Sequence, residues 1–278
     1  MKVNIDLNSF SDSISTENLY QLIFVSNSKI QISSFDSQSK KILSLKEYSL
    51  EKELKNFSVS DLKENIPEVK EKYQKKILSF SSPKITLVPK EFMKDDISNE
   101  FYKLNFNKES GEDIRKDYLS ELNSFLIYST DFNYSKIKLA FNPDDSFNSA
   151  TAFFKGIFKI NKLKDTKSTF IEIDDNFIKL VFFEFDKLKI MNTYNYKSKE
   201  DILYHILNVS EQFDIDSDKD NYYFCGNIDK NTELYKLLFN YIRYPILLHR
   251  IDTLNYDKCF DKTPSHRYFN IFSTALCE

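Results

Sequence analysis

The chain has 278 residues, enough to bury one large core or two smaller ones. Its 39 Lys and Arg stand against 42 Asp and Glu, a net charge of −3 that argues against a dedicated nucleic-acid surface. No apolar run approaches the ~18 residues of a membrane span, residues 1–10 lack the apolar length of a secretory signal, and three scattered cysteines read as reduced thiols of a cytoplasmic protein.

Residues 1–18 are polar with a few apolar positions and read as an arm or an irregular edge. Leu19 to Val25 is a strand, Ser26-Asn27-Ser28 a turn, and Ile30, Ile32 and Phe35 the return of a hairpin. Asp36-Ser37-Gln38-Ser39 turns the chain into a third strand through Ile42, Leu45 and Tyr48. Ser58 and Asp61 have capping-box spacing. Leu62, Ile66, Val69, Tyr73 and Ile77 predict a helix, broken or restarted at Pro67. Ile85 to Val88 is the expected fourth strand, and Ile97, Phe101 and Leu104 stripe the following helix. Residues 107–123 are charged, contain Gly111 and read as an insertion. Phe125 to Tyr128 and Ile137 to Phe141 are expected strands, and Asn142-Pro143-Asp144-Asp145 opens a helix toward Ile160. The basic stretch 155–167 joins the halves; its lysines read as a solvated face, with an anionic partner as the alternative.

The second half is more regular. Phe170, Ile171 and Ile173 begin a strand, Asp174-Asp175-Asn176 turns it, and Phe177 to Phe185 is almost wholly apolar, which suits a strand covered on both faces. Leu188, Ile190, Tyr194 and Tyr196 alternate with polar residues in a third strand. Ser198 and Asp201 repeat the capping spacing before a helix through Ile202, Ile206, Val209 and Phe213. Tyr222 to Cys225 is a short strand ending at Gly226, Leu234 to Tyr241 a helix, Ile246 to Leu248 a strand, and Thr263-Pro264 starts the last helix.

Three meandering strands followed by alternating helices and strands is the order of a ribonuclease H-like unit. The first and fourth strands lie 65 residues apart in the first half (20 to 85) and 53 in the second (169 to 222). The expected fold is α/β: two tandem ribonuclease H-like units, residues 1–163 with the insertion around 107–123, and residues 164–278.

Leu87-Val88-Pro89 with Phe92, the run YNYKSKEDILYHIL from Tyr194, GNIDKNTELYKLLFNYI from Gly226 and PSHRYFNIFSTALCE from Pro264 resemble a bacterial domain-of-unknown-function family, number 3822, over nearly the whole chain. That family is similar in fold to the actin-like ATPases and has no established activity. The resemblance implies that phosphates would sit on the first hairpin turn of each half, where such ATPases place glycine, an acid and a hydroxyl. Glycine lets main-chain amides approach a phosphate, yet the chain holds three glycines where average usage would give about 19. The first turn, Ser26-Asn27-Ser28-Lys29, has neither acid nor glycine; the second, Asp174-Asp175-Asn176, has the acids alone. Ile5-Asp6-Leu7-Asn8-Ser9 imitates such a turn without glycine, and the adenosine-side motif is reduced to Cys225-Gly226-Asn227. The candidate nucleotide contacts are therefore Ser28, Asp174, Asp175, Asn176, Gly226 and Asn227.

Other chemistries find less support. Leu19 to Val25 carries no carboxylate for a two-metal nuclease. Asp214, Asp216, Asp218 and Asp220 alternate like a calcium loop, but Lys219 replaces its glycine and Cys225 its closing Glu. His205, His249 and His266 have no nucleophile paired in sequence, and Cys225 reads as a small buried residue. The expectation is a non-enzymatic scaffold without catalytic residues, metal or cofactor, monomeric or homodimeric, binding a protein through its interdomain cleft or a strand edge. The competing reading is a divergent nucleotide switch or weak ATPase using Mg-ATP in that cleft. A third, carried only by the resemblance, is an accessory to RNA modification.

Overall fold

A computed structural model describes residues 1–8, 16–93, 97–160 and 166–277. The chain runs β1 (Lys2–Asn8), β2 (Leu19–Val25), β3 (Lys29–Asp36), β4 (Lys41–Ser49), α1 (Val59–Asn65) and β5 (Lys75–Phe80), then β6 (Ile85–Pro89), α2 (Ser98–Asn105), β7 (Asp113–Leu119) and β8 (Ser124–Thr130). It continues through α3 (Phe132–Phe141), β9 (Asp145–Asn148), α4 (Ser149–Phe158), β10 (Lys167–Ile173), β11 (Phe177–Glu184), β12 (Lys187–Asn195) and α5 (Lys199–Gln212). It closes with β13 (Asn221–Gly226), α6 (Glu233–Phe239), β14 (Pro245–Leu247), β15 (Asn255–Tyr256) and α7 (Phe269–Thr274).

Two large mixed sheets repeat one order. In the first lobe it is β4-β3-β2-β5-β9, extended by β1 and β15 along β4; in the second it is β12-β11-β10-β13-β14. In each, three antiparallel strands lead into parallel ones. A small sheet, β6-β8-β7, with α2 against it, interrupts the first lobe between β5 and α3.

Several first-lobe expectations change. Residues 62–77 are not one helix: α1 has the Ser58–Asp61 capping box but stops at Asn65, two residues before Pro67, and a 3-10 turn then leads into β5. The fourth strand is thus β5, and Ile85 to Val88 belongs to the small sheet. First-to-fourth spacing becomes 56 residues (Leu19 to Lys75) against 54 (Lys167 to Asn221), closer than the sequence suggested. Ile137 to Phe141 is the end of α3, not a strand: Asp131 accepts the Asn133 and Tyr134 N–H groups at its start, and Asn142 closes it at φ 48°. A short apolar run cannot separate strand from buried helix, and here the cap decides. Residues 145–148 pair with β5 before α4 begins under its Asn148 cap. Residues 2–8 form an edge strand on β4, so Ile5 to Asn8 is no loop, while Ser9 lies outside the described residues.

Both faces of each large sheet are covered, which is why β11 is apolar apart from Lys179 and its last residue, Glu184. Along β10 and β11, Phe170, Val181 and Phe183 enter an inner core, while Ile171, Ile173, Ile178, Leu180 and Phe182 enter the outer core of the second lobe beneath α5 and α6. The inner core holds α4 and α7 between the two sheets and draws on both lobes. The two helices cross at Gly156, where an added Cβ would collide with the Ser273 side chain and the Phe269 ring.

Candidate functional site

The first hairpin turns of the two lobes share one backbone. Val25 and Ile30 close the first and Ile173 and Ile178 the second, 148 residues further on in both cases. Ser26 N–H donates to the Lys29 carbonyl and Asp174 N–H to the Phe177 carbonyl, each at 3.0 Å. The third turn residue accepts from the end of the third strand in both lobes, Leu50 N–H to Ser28 and Tyr196 N–H to Asn176. The last residue of each first strand accepts from the amide beyond the fourth, Ser81 N–H to Val25 and Asn227 N–H to Ile173, each at 2.8 Å. Neither turn carries a positive φ; among the described residues that conformation belongs to Lys40, Gly111, Asn123, Asn142, Phe185, Asp214 and Gly226. The turns therefore close without glycine, and Asn176 does not adopt the left-handed geometry that asparagine tolerates.

Side chains from the two lobes then knit across the cleft. Asp175 Oδ2 accepts the Ser26 hydroxyl at 3.0 Å and the Ser28 N–H at 3.2 Å. Asp175 Oδ1 accepts the Asn227 amide at 3.1 Å, and the Lys29 ammonium donates to Asn227 Oδ1 at 2.7 Å. Ser81 donates its hydroxyl to the buried Asp174 carboxylate, while the Tyr196 hydroxyl donates to the carbonyls of Asp174 at 2.5 Å and Asp175 at 3.1 Å. Of the six sequence candidates, Ser28, Asp175 and Asn227 thus meet directly, while Asp174 bonds Ser81 and the adjacent Asp175 amide. Asn176 is exposed and enters only through its carbonyl. Gly226, at φ 86°, lies so close to β10 that a Cβ would overlap the Ile173 carbonyl oxygen, a backbone need that owes nothing to a ligand.

Beneath this layer lies a buried charge pair. Lys179 Nζ donates to Glu172 Oε2 at 2.5 Å and to the hydroxyl of Ser149, the first residue of α4, at 2.9 Å. Asn270 on α7 donates its amide to the other Glu172 oxygen. Burial lifts the Glu172 carboxyl above its ordinary range against the pull of Lys179, and burial pushes the Cys225 thiol well up, away from nucleophilic use. The space left among Phe24, Gln31, Glu172, Cys225, His266 and Asn270 is about 10 Å³, room for about one water. An open hollow of about 620 Å³ lies beyond β13 and β14, between Thr232, Leu247, His249 and Ser265.

Sequence reasoning missed Ser26, Lys29, Ser81, Tyr196, Asn270 and the Glu172–Lys179 pair. Only the pair had a signal: the two charges are equidistant from the Asp175–Asn176 turn, so a two-residue hairpin makes them cross-strand partners. The remaining candidates have local roles. Asp216 and Asp220 accept main-chain N–H groups of their own loop, and His205 stacks on Tyr194 at 4.6 Å. His266 contacts the Ile228 carbonyl at 2.7 Å. Among the described residues no His, Cys, Asp and Glu cluster is arranged to hold a metal, and no helix is long and apolar enough to cross a membrane.

Comparison with known proteins agrees with this architecture. The family described as Protein of unknown function (DUF3822) matches residues 10–244. Among solved structures, a Bacteroides thetaiotaomicron VPI-5482 protein with an actin-like ATPase fold and unknown function superposes at a TM-score of 0.73 and 18% identity, over 89% of this chain and 96% of that one. The PilM-PilN type IV pilus biogenesis complex superposes at 0.65 and 11% identity, over 93% of this chain and 98% of that one. No curated protein matches the sequence. The fold is that of the actin-like ATPases.

Proposed function

The chain belongs to the DUF3822 family of proteins of unknown function, and from that premise we propose that it is a catalytically silent, cytoplasmic actin-like scaffold whose work is to bind another protein. The observation that carries this reading is the cleft. Where two lobes of this fold face each other, side chains of one bond directly to the turn of the other, and the space enclosed beneath them is about 10 Å³, against the ~300–1,000 Å³ of a typical ligand pocket; an open hollow of about 380 Å³ beside Asn27 and Ser81 is lined by the first lobe alone. The lobes in this reading are residues 1–163 and 164–278. A protein partner suits the fold, since PilM is found in a complex with PilN.

The competing reading, a nucleotide switch, has the open hollow beyond β13 and β14 in its favour, between Asp229, Thr232, His249 and His266. It requires Asp174 and Asp175 to release Ser81, Ser26 and Ser28 before phosphates could enter. Thermal unfolding with Mg-ATP and Mg-ADP separates the two. The scaffold predicts a flat melting temperature to millimolar ligand. A saturable rise, worth about 2.7 kcal/mol at one hundred times the dissociation constant, overturns it in favour of the switch.

A further inference from the structure

Three hydrogen-bond donors from two lobes converge on the Asp175 carboxylate: the Ser26 hydroxyl, the Ser28 main-chain amide and the Asn227 side-chain amide. The Lys29 ammonium stands behind them on Asn227. A hydroxyl, a turn amide, a carboxamide and a nearby ammonium make a donor set suited to a phosphate oxygen. In the equivalent turn of the first lobe the same position is Asn27, which is exposed. The arrangement is one-sided, with an anion on the second lobe and a seat made mainly by the first.

We propose that the seat between the two turns is an oxyanion site that the chain fills with its own carboxylate, so that Asp175, rather than a bound ligand, clamps the lobes together. Being part of the chain, the carboxylate is present at a high effective concentration and free phosphate competes poorly. The clamp rests on the nucleotide-free reading of the cleft and adds what replaces the ligand: a scaffold closed without a small molecule and opened only by something that displaces Asp175. The Ser28 amide reports on it directly, because it sits at a hairpin tip and its shorter contact is to Asp175 at 3.2 Å, with the Ser26 hydroxyl oxygen at 3.4 Å.

Amide hydrogen exchange of the full chain tests the clamp. In the wild type the Ser28 amide exchanges slowly for a turn residue. In Asp175→Asn and Asp175→Ala it exchanges about tenfold faster, the factor expected when a charge-assisted hydrogen bond is lost. Inorganic phosphate at millimolar concentration restores Ser28 protection and raises the melting temperature of Asp175→Ala, while leaving the wild type unchanged. Fast Ser28 exchange in the wild type overturns the clamp without any variant, as does unchanged exchange in Asp175→Asn. Phosphate that fails to protect Asp175→Ala overturns the oxyanion seat. Mg-ATP binding to the wild type would instead sink the scaffold reading, and it is measured separately from Ser28 exchange.

Discussion

The two lobes superpose hydrogen bond for hydrogen bond around their first hairpins, yet they fill the same positions with opposite chemistry. Where β2 and β3 pair Phe24 with Gln31, β10 and β11 pair Glu172 with Lys179. Where β5 ends in Phe80 beside Val25, β13 ends in Gly226 beside Ile173. Where Tyr48 donates to Glu68 at 2.6 Å, the equivalent Tyr194 stacks on His205. A shared main chain thus needs no shared side chains. The fold survives on ladder bonds that any residue supplies, while the cleft is governed by which lobe brings the charges.

The charge pair should give the largest effect. Glu172 and Lys179 are both fully or nearly fully buried, so removing one partner leaves a desolvated charge. Lys179→Met should cost about 3–5 kcal/mol in chemical denaturation. Adding Glu172→Gln should recover more than about 1 kcal/mol of that, since contacting residues couple. The sign with pH follows from the direction of the Glu172 shift. A carboxyl held above its usual range stabilises the fold below that range, and the contribution is lost as pH rises through the folded value. Lys179→Met should therefore be least damaging in mild acid. A loss that is equal at pH 5 and pH 8 would show that Lys179 acts through packing alone.

Gly226 comes next. In the first lobe Phe80 occupies this place with ordinary backbone geometry, so the glycine marks where the second lobe departs. Gly226→Ala combines a left-handed residue with a collision against the Ile173 carbonyl, which also accepts the Asn227 amide. About 2–3 kcal/mol of destabilisation is expected, together with faster exchange at Ser28 because Asn227 is displaced. Gly111, at φ 85° with nothing within 4 Å of its would-be Cβ, should lose only the conformational part on the same substitution.

The second lobe was legible from sequence almost element by element. Its central strands are mostly apolar, its third strand alternates, its turns are short, and the Ser198–Asp201 capping box marks the start of α5. The first lobe misled because Leu62, Ile66, Val69, Tyr73 and Ile77 satisfy helical spacing while the chain between Ile66 and Lys75 is irregular. The small sheet then pushed the strand count out of step. The clamp was half legible. Asp174, Asp175 and Asn227 stood out as polar residues at strand ends, but their partners Ser26 and Ser81 lie 149 and 93 residues away, and only tertiary structure brings them near. Scarcity of glycine has a simpler counterpart in these two turns: neither enters the conformation that needs one.

A smaller effect distinguishes the two third strands. Burial alone would raise the Glu68 carboxyl, but the hydrogen bonds from Tyr48 and Lys46 outweigh it and hold Glu68 below its usual range. A lowered carboxylate stabilises the fold above the ordinary carboxylate range, and that contribution disappears as pH falls through the folded value. Tyr48→Phe should cost about 1 kcal/mol at neutral pH after allowance for partial exposure, and its acid limb below about pH 4 should be shallower than that of the wild type. Tyr194→Phe has no carboxylate to release and should leave the acid limb unchanged; equal effects from both would remove Glu68 from the account.

The smallest predicted change is a gain. The second hairpin of each lobe ends its turn differently: four residues precede Lys41 in the first lobe, with Lys40 at φ 51°, whereas two residues, Phe185 and Asp186, connect β11 to β12, with Phe185 at φ 58°. A two-residue hairpin turn of the type with φ > 0 at its first position prefers glycine there. Phe185 has a Cβ that crowds its own carbonyl in that geometry, at roughly 1–2 kcal/mol, and its ring is 51% exposed, so little burial offsets the strain. Glycine removes the crowding but gives back part of the gain in unfolded-chain entropy. Phe185→Gly should therefore stabilise the protein by about 0.5–1 kcal/mol, read as a higher denaturation midpoint at unchanged slope. A lower midpoint would mean that the exposed ring makes a contact the fold depends on, and would identify this tip, rather than the clamp, as the place where the second lobe differs most from the first.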